Sequence, residues 1–162
     1  MSRPALGRLV IGIGNPLRGD DGVGWHLAGT LADRSDRTDP SDLTALMVHQ
    51  LTPELAADLV DRSGVLFIDA WLAAAADPAG AARPQLRPVP SAATGPGSGS
   101  HHLEPGALVA LADLLFDSRP AATILLVPAF AFPHGPAMSP SQRALLPEAR
   151  RLLHTWLDHS LA

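Results

Sequence analysis

Three carboxylates and a histidine pair are the residues in this chain best suited to chemistry. Asp20 and Asp21 are adjacent in Gly19-Asp20-Asp21-Gly22, Asp69 closes the apolar run Val65-Leu66-Phe67-Ile68, and His101-His102 follows a Pro- and Gly-rich stretch. Carboxylate oxygen with imidazole nitrogen, and no sulfur, suits a borderline divalent metal such as zinc or nickel. Three such protein ligands would leave coordination positions open for water or a substrate. Cysteine is absent, which removes thiolate metal sites, disulfides and a Cys nucleophile together. The chain has no His-Glu-x-x-His of the common zinc proteases and no Gly-x-Ser-x-Gly elbow.

Each of these residues also has an ordinary reading. A carboxylate pair at a helix start commonly caps free N–H groups. Two neighbours rarely both cap, so one of Asp20 and Asp21 is expected to cap and the other to point into a crevice. Asp69 is harder to explain away. Four apolar residues pull it inward, where an unpaired charge is costly; it needs a cation, and Arg18 is one candidate. A histidine pair on a surface usually carries no function. Among the seven histidines, His26 belongs to the first helix, and His154 and His159 are expected to face solvent near the chain's end. His49 ends a short strand and could approach the site, while His134, in Phe132-Pro133-His134-Gly135, competes with His101 and His102 as a ligand.

The elements that must position these groups alternate between strand and helix. Leu9–Ile13 reads as a parallel-type buried strand, broken by Gly12, Gly14, Asn15 and Pro16. A helix should begin just after Asp21, with Val23, Leu27 and Leu31 on one face. Ala45–Val48 is a second strand. Thr52-Pro53-Glu54 predicts another helix, with Thr as N-cap and Leu55, Leu59 and Val60 as its stripe. Val65–Asp69 is the next strand. Residues 73–100 read as a long functional loop, holding an edge strand at Gln85–Val89 whose prolines argue against a central position. Pro105 opens a helix with Leu108, Leu111 and Leu115 along its face. Thr123–Val127 is a strand, and 130–138 a loop. Ser139-Pro140-Ser141-Gln142 is a capping box opening a last helix with Leu145, Ala149, Leu152 and Trp156, distorted near Pro147. The expected fold is α/β: a single doubly wound, mostly parallel twisted sheet with helices on both faces, in one domain over 1–162. A strand-end carboxylate in such a sheet lies at the C-terminal rim, where ligands bind.

Composition narrows the function. The chain has 162 residues and a formal charge of −4, with no lysine, so it has no cationic field for a phosphate backbone, and no nucleic-acid partner is expected. The longest apolar stretch, Ile124–Phe132, is too short to span a bilayer. The first residues lack the apolar core of a secretory signal. A cytoplasmic, monomeric protein with no spare apolar face is the expectation. Gly12-x-Gly14 after a strand suggests a dinucleotide loop, but Leu17 replaces the third glycine and Pro16 removes an N–H that a phosphate would use.

Taken together, Gly12-Ile13-Gly14-Asn15-Pro16-Leu17-Arg18-Gly19-Asp20-Asp21-Gly22-Val23-Gly24, His49-Gln50-Leu51-Thr52-Pro53-Glu54-Leu55, Ile68-Asp69-Ala70, Ser100-His101-His102-Leu103 and Pro133–Pro140 resemble, in order, the motifs of the hydrogenase maturation proteases. These endopeptidases trim the large subunits of [NiFe]-hydrogenases. The resemblance implies that Asp21, Asp69 and His101 bind nickel and serve catalysis. Asp21 corresponds to the acidic residue just before a Gly-x-Gly, and His101 is preferred to His102 because His101-His102-Leu103 fits a His-x-Leu pattern. It implies that nickel arrives in the immature large subunit, the partner, whose C-terminal extension is then removed. His101 would have to be neutral to bind metal, so activity should fall on acidification through about pH 6.5. The alternatives are a non-catalytic metal-binding or chaperone module that inspects the same subunit, a nucleotide-binding α/β protein, and a self-standing zinc hydrolase.

Overall fold

The apolar runs of the sequence become the strands of one sheet. The computed structural model describes residues 5–35, 42–73, 82–92 and 103–159. Among them are β1 (Arg8–Ile13), β2 (Leu43–Val48), β3 (Val65–Leu72), β4 (Gln85–Pro88) and β5 (Ala122–Ala129), in the spatial order β2-β1-β3-β5-β4. All neighbours are parallel except β4, an antiparallel edge strand on β5. The helices are α1 (Val23–Ser35), α2 (Pro105–Phe116) and α3 (Pro140–His159), with 3-10 helices at Gly19–Gly22 and Pro53–Leu59. The fold is the expected doubly wound α/β sheet, and no helix of the described residues is long and apolar enough to cross a membrane.

Strand periodicity divides the core in two. Val10, Leu66, Ile68, Leu125 and Val127 face α1 and α3, meeting Leu27, Leu31, Ala149 and Leu153. Leu9, Ile11, Val65 and Phe67 face the opposite side, meeting Leu59 of the 53–59 helix and Leu108 and Ala112 of α2. The chain leaves β1 toward β2 on one side and returns to β3 on the other, so strand order reverses between β1 and β3. At such a reversal the loops after adjacent strands diverge and leave a crevice.

Several local expectations need correcting. β3 does not end at Asp69. Its ladder with β1 stops at Gly12↔Ile68, but Asp69–Leu72 continue against Leu126–Ala129 of β5. Asp69 is thus the first β3 residue beyond the reach of β1. The segment after Thr52 is a 3-10 helix, not an α-helix, and Thr52 makes no side-chain cap bond. Its buried residues, Ala56 and Leu59, are three apart, as that helix requires, and Val60 lies past its end. On α2, Ala107, Leu108, Val109 and Ala112 are buried, whereas Leu115 is 58% exposed. On α3 the buried stripe is Gln142, Leu146, Ala149, Leu153 and Trp156, one residue out of step with the expected Leu145 and Leu152; the helix runs unbroken through Pro147.

The first turn of α1 lies directly on the strand ends. A Cβ on Gly24 would fall 2.5 Å from the carbonyl oxygens of both Ile13 and Ile68. Backbone held in two ladders cannot yield, so Gly24→Ala should lower the free energy of unfolding by about 3 kcal/mol or prevent folding. Urea unfolding checks this: a midpoint within error of the wild type would show that α1 can shift without cost.

Candidate metal-binding site

At the end of β1 the backbone turns back on itself through Gly14, whose φ of +138° suits only glycine. The Gly14–Arg18 loop then closes by its own hydrogen bonds. The Leu17 N–H donates to Asn15 Oδ1 at 2.9 Å, the Arg18 N–H to the Asn15 carbonyl at 3.1 Å, and the Asn15 N–H to Asp21 Oδ2 at 2.8 Å. The Gly14 N–H is taken by the Val48 carbonyl. With Pro16 lacking an N–H, every backbone N–H of this loop is occupied, which leaves no backbone donor to cradle a phosphate. The glycine loop builds a platform for Asp21 rather than a nucleotide site.

Asp20 and Asp21 divide their work in a way only partly foreseen. Neither caps the short 19–22 helix with its side chain. Asp20 is fully buried and reaches across to the chain beyond β5. Its carboxylate accepts from the N–H groups of Phe130 (2.7 Å), Ala131 (3.1 Å) and Ser139 (2.6 Å) and from the Ser139 hydroxyl (2.7 Å). Ser139 Oγ in turn accepts the Gln142 N–H, so one half of the expected capping box forms. The other half does not: Gln142 Nε2 donates to the Asp20 and Pro128 carbonyls instead. Asp20 is therefore a structural clamp, and Asp21 is the member that faces the crevice.

That crevice, about 490 Å³, opens between the ends of β1 and β3. Asp21, Asp69, Arg18 and His49 all line it. Asp69 Oδ1 accepts the Ala70 N–H at 2.8 Å. Burial pushes the Asp69 carboxyl up to about 7, against the pull of the Ala70 N–H and with help from the negative charge of Asp21. Among the described residues neither carboxylate is in an ion pair, Arg18 included. Each has one oxygen held by a backbone N–H and a second with no hydrogen-bond partner among those residues. Two oriented carboxylates sharing a crevice, with no ion-pair partner among the described residues, fit part of a divalent-ion site.

The histidines fall out as follows. His101 and His102 lie outside the described residues, and within the described ones no three His, Asp or Glu side chains converge closely enough to hold an ion. Leu103 and Glu104, which follow the pair, line the crevice. His49 lines it too, with its ring meeting Trp25 edge-on at 5.2 Å, while Trp25 Nε1–H donates to the Val48 carbonyl. His134 is exposed and not part of the crevice wall; its loop is tied to the glycine loop through Gly19 and Gly135. His154 and His159 are exposed, as expected. Glu104 was missed by sequence reasoning. It occupies the N-cap position of α2 without making a cap bond, and a Glu before a helix-opening proline gives little signal of its own.

The fold has counterparts among solved structures. The hydrogenase maturating endopeptidase HybD from Escherichia coli matches with a TM-score of 0.65 and 19% identity over 96% of this chain and 94% of that one. The [NiFe] hydrogenase maturation protease HycI from Thermococcus kodakarensis matches with 0.67 and 17% over 94% and 91%. A hydrogenase 2 maturation peptidase from a Thaumarchaeota archaeon matches with 0.65 and 20% over 94% and 98%. The chain therefore has, across nearly its full length, the fold of hydrogenase maturation proteases. No family model matches the sequence, and no curated protein matches it either.

Two measurements test the roles assigned to the carboxylates. Above about pH 4 the unfolded chain has lost the Asp69 proton, whereas the folded chain keeps it up to about 7. The folded state binds the extra proton, so this contribution to stability is full at low pH and is lost as pH rises through about 7, by at most about 1.4 kcal/mol per pH unit. In metal-free buffer, Asp69→Asn should remove that slope and be more stable than the wild type at pH 8; equal slopes in thermal melts from pH 5 to 8 would refute the assignment. Asp20→Ala should cost about 3 kcal/mol or more, because it strands buried donors, while Asp21→Ala should cost less than half as much. Chemical denaturation of the pair checks the division of labour.

Proposed function

We propose that this chain is a nickel-dependent endopeptidase that recognises nickel in an immature [NiFe]-hydrogenase large subunit and removes the subunit's C-terminal extension. The observation that carries the reading is the pairing of Asp21 and Asp69 across one crevice at the sheet's switch point, each with an oxygen left for an outside cation. Asp21, Asp69 and His101 are the proposed ligands and catalytic residues. His101 rests on the sequence pattern, supported by the presence of Leu103, two residues on, in the crevice wall. The fold shared with hydrogenase maturation proteases and the ordered motifs of the sequence support the same substrate.

Nickel enters this scheme as part of the substrate. Two carboxylates and one imidazole would complete the coordination of an ion already held by the precursor, which fixes the precursor tail against the crevice. Fixing the scissile bond in place supplies a large share of a rate enhancement, and a divalent ion held beside it would supply positive charge for the carbonyl or for a water. Arg18 and Glu104 flank the space where the tail would lie.

The test is release of the tail from nickel-loaded precursor, followed by mass spectrometry. Wild-type protein should release it; Asp21→Asn and Asp69→Asn should slow release by about 100-fold or more, since even outer-shell partners of a metal cost ~10–100-fold. Processing by Asp69→Asn at the wild-type rate would end the metal-site role. Stable complex formation with no tail released would instead identify a non-catalytic inspection module.

A further inference from the structure

Helix α2 is apolar around most of its circumference: Ala107, Leu108, Val109, Ala110, Leu111, Ala112, Leu114, Leu115 and Phe116. A helix of that composition is ordinarily buried on all sides. Here one stripe, centred on Leu108 and Ala112, packs on the sheet. The opposite side is open at Leu114, which is 81% exposed, and the C-terminal end of the helix leaves Leu115 58% and Phe116 47% exposed. This overturns the expectation of a chain without a spare apolar face.

The open side is shaped as a groove. A cavity of about 690 Å³ is lined by Leu103, just before α2, and by Ala107, Ala110, Leu111 and Leu114, one stripe of the helix. Leu103 also lines the carboxylate crevice, so the groove and the crevice share a wall. The crevice end is acidic, with Asp21, Asp69 and Glu104, and the far end carries Asp113, already paired with Arg119 at 2.6 Å. Between them the floor is apolar. The helix has 12 residues, about 18 Å, which matches roughly five residues of extended peptide.

We infer that this groove seats the C-terminal extension of the precursor as an extended, apolar segment leading away from the scissile bond. The inference rests on the proposed endopeptidase reading and adds to it the side from which the tail is held. Continuity through Leu103 is what favours the tail over a second copy of this chain: a peptide anchored in the crevice runs onto α2 without leaving the protein surface. Binding there contributes to holding the substrate and not to the bond-breaking step. It should therefore appear in KM and leave kcat unchanged.

The experiment uses the full chain and nickel-loaded precursor. Leu114→Glu places a charge on the groove floor at a largely exposed position, so the fold should survive; circular dichroism checks it. KM for tail release should rise about tenfold or more, as expected for losing one buried leucine contact, with kcat unchanged. Leu115→Glu, exposed but outside the groove, should leave both unchanged. Replacing the first five residues of the tail with serine and glycine should raise KM for the wild type and have no effect on Leu114→Glu. A photo-crosslinker in place of Leu114 should attach to the released tail. An unchanged KM in Leu114→Glu, crosslinks only to the mature body or to a second copy of the chain, or no crosslink at all would overturn the groove assignment. Failure of the endopeptidase reading looks different, since the wild type itself would then release no tail.

Discussion

The buried carboxylate of Asp20 is the constraint on which the site depends. Four donors from the β5–α3 connection converge on it, and the Gln142 side chain binds the Asp20 carbonyl from behind. A fully desolvated anion with this many charge-assisted bonds is expensive to disturb. The clamp joins the short helix after β1 to the N-terminus of α3, elements that are more than a hundred residues apart. Asp21 is the next residue in the chain, so its direction follows from where Asp20 is held. The close approach of α1 to β1 and β3 at Gly24 sets the depth of α1, which follows directly on that short helix.

A rigid frame of this kind lets the protein maintain an arrangement that is unfavourable in itself. Asp21 and Asp69 share a crevice without a paired cation among the described residues, and burial pushes Asp69 up to about 7. In a protein selected only for stability, Asp69 would be an apolar residue or would be matched by an arginine. Arg18 lines the crevice yet pairs with neither carboxylate. Local destabilisation of this sort is typical where a site waits for a charged ligand. The apolar outer side of α2 is a second departure from what folding alone would favour, and it adjoins the first.

Much of this was legible in the sequence because short-range pattern decides it. The runs Leu9–Ile13, Val65–Ile68 and Thr123–Val127 are apolar on both faces and became the central strands. The prolines near Gln85–Val89 marked an edge, and β4 is one. Gly14 and Pro16 marked the loop on which Asp21 stands. The errors came where partners remote in the chain decide the outcome. β3 runs past Asp69 because β5 is there to pair with it. The face of α2 was misassigned because a helix apolar on nearly every side gives no phase, and Leu115 could be inside or outside.

The sequence by itself determined the residue types, an oxygen-rich and sulfur-free donor set, the doubly wound α/β class, and motifs ordered like those of hydrogenase maturation proteases. The motif resemblance had singled out Asp21, but only the tertiary structure showed the physical difference between the two aspartates: Asp20 finds four donors and locks the fold, while Asp21 faces the crevice. It also decided that the phosphate reading of the glycine loop has no free N–H groups to use, and that Glu104 and Leu103 join the crevice wall. Hydrogen-bond partners and exposure depend on contacts across the whole chain, and those contacts exist only once the sheet and its helices have been assembled.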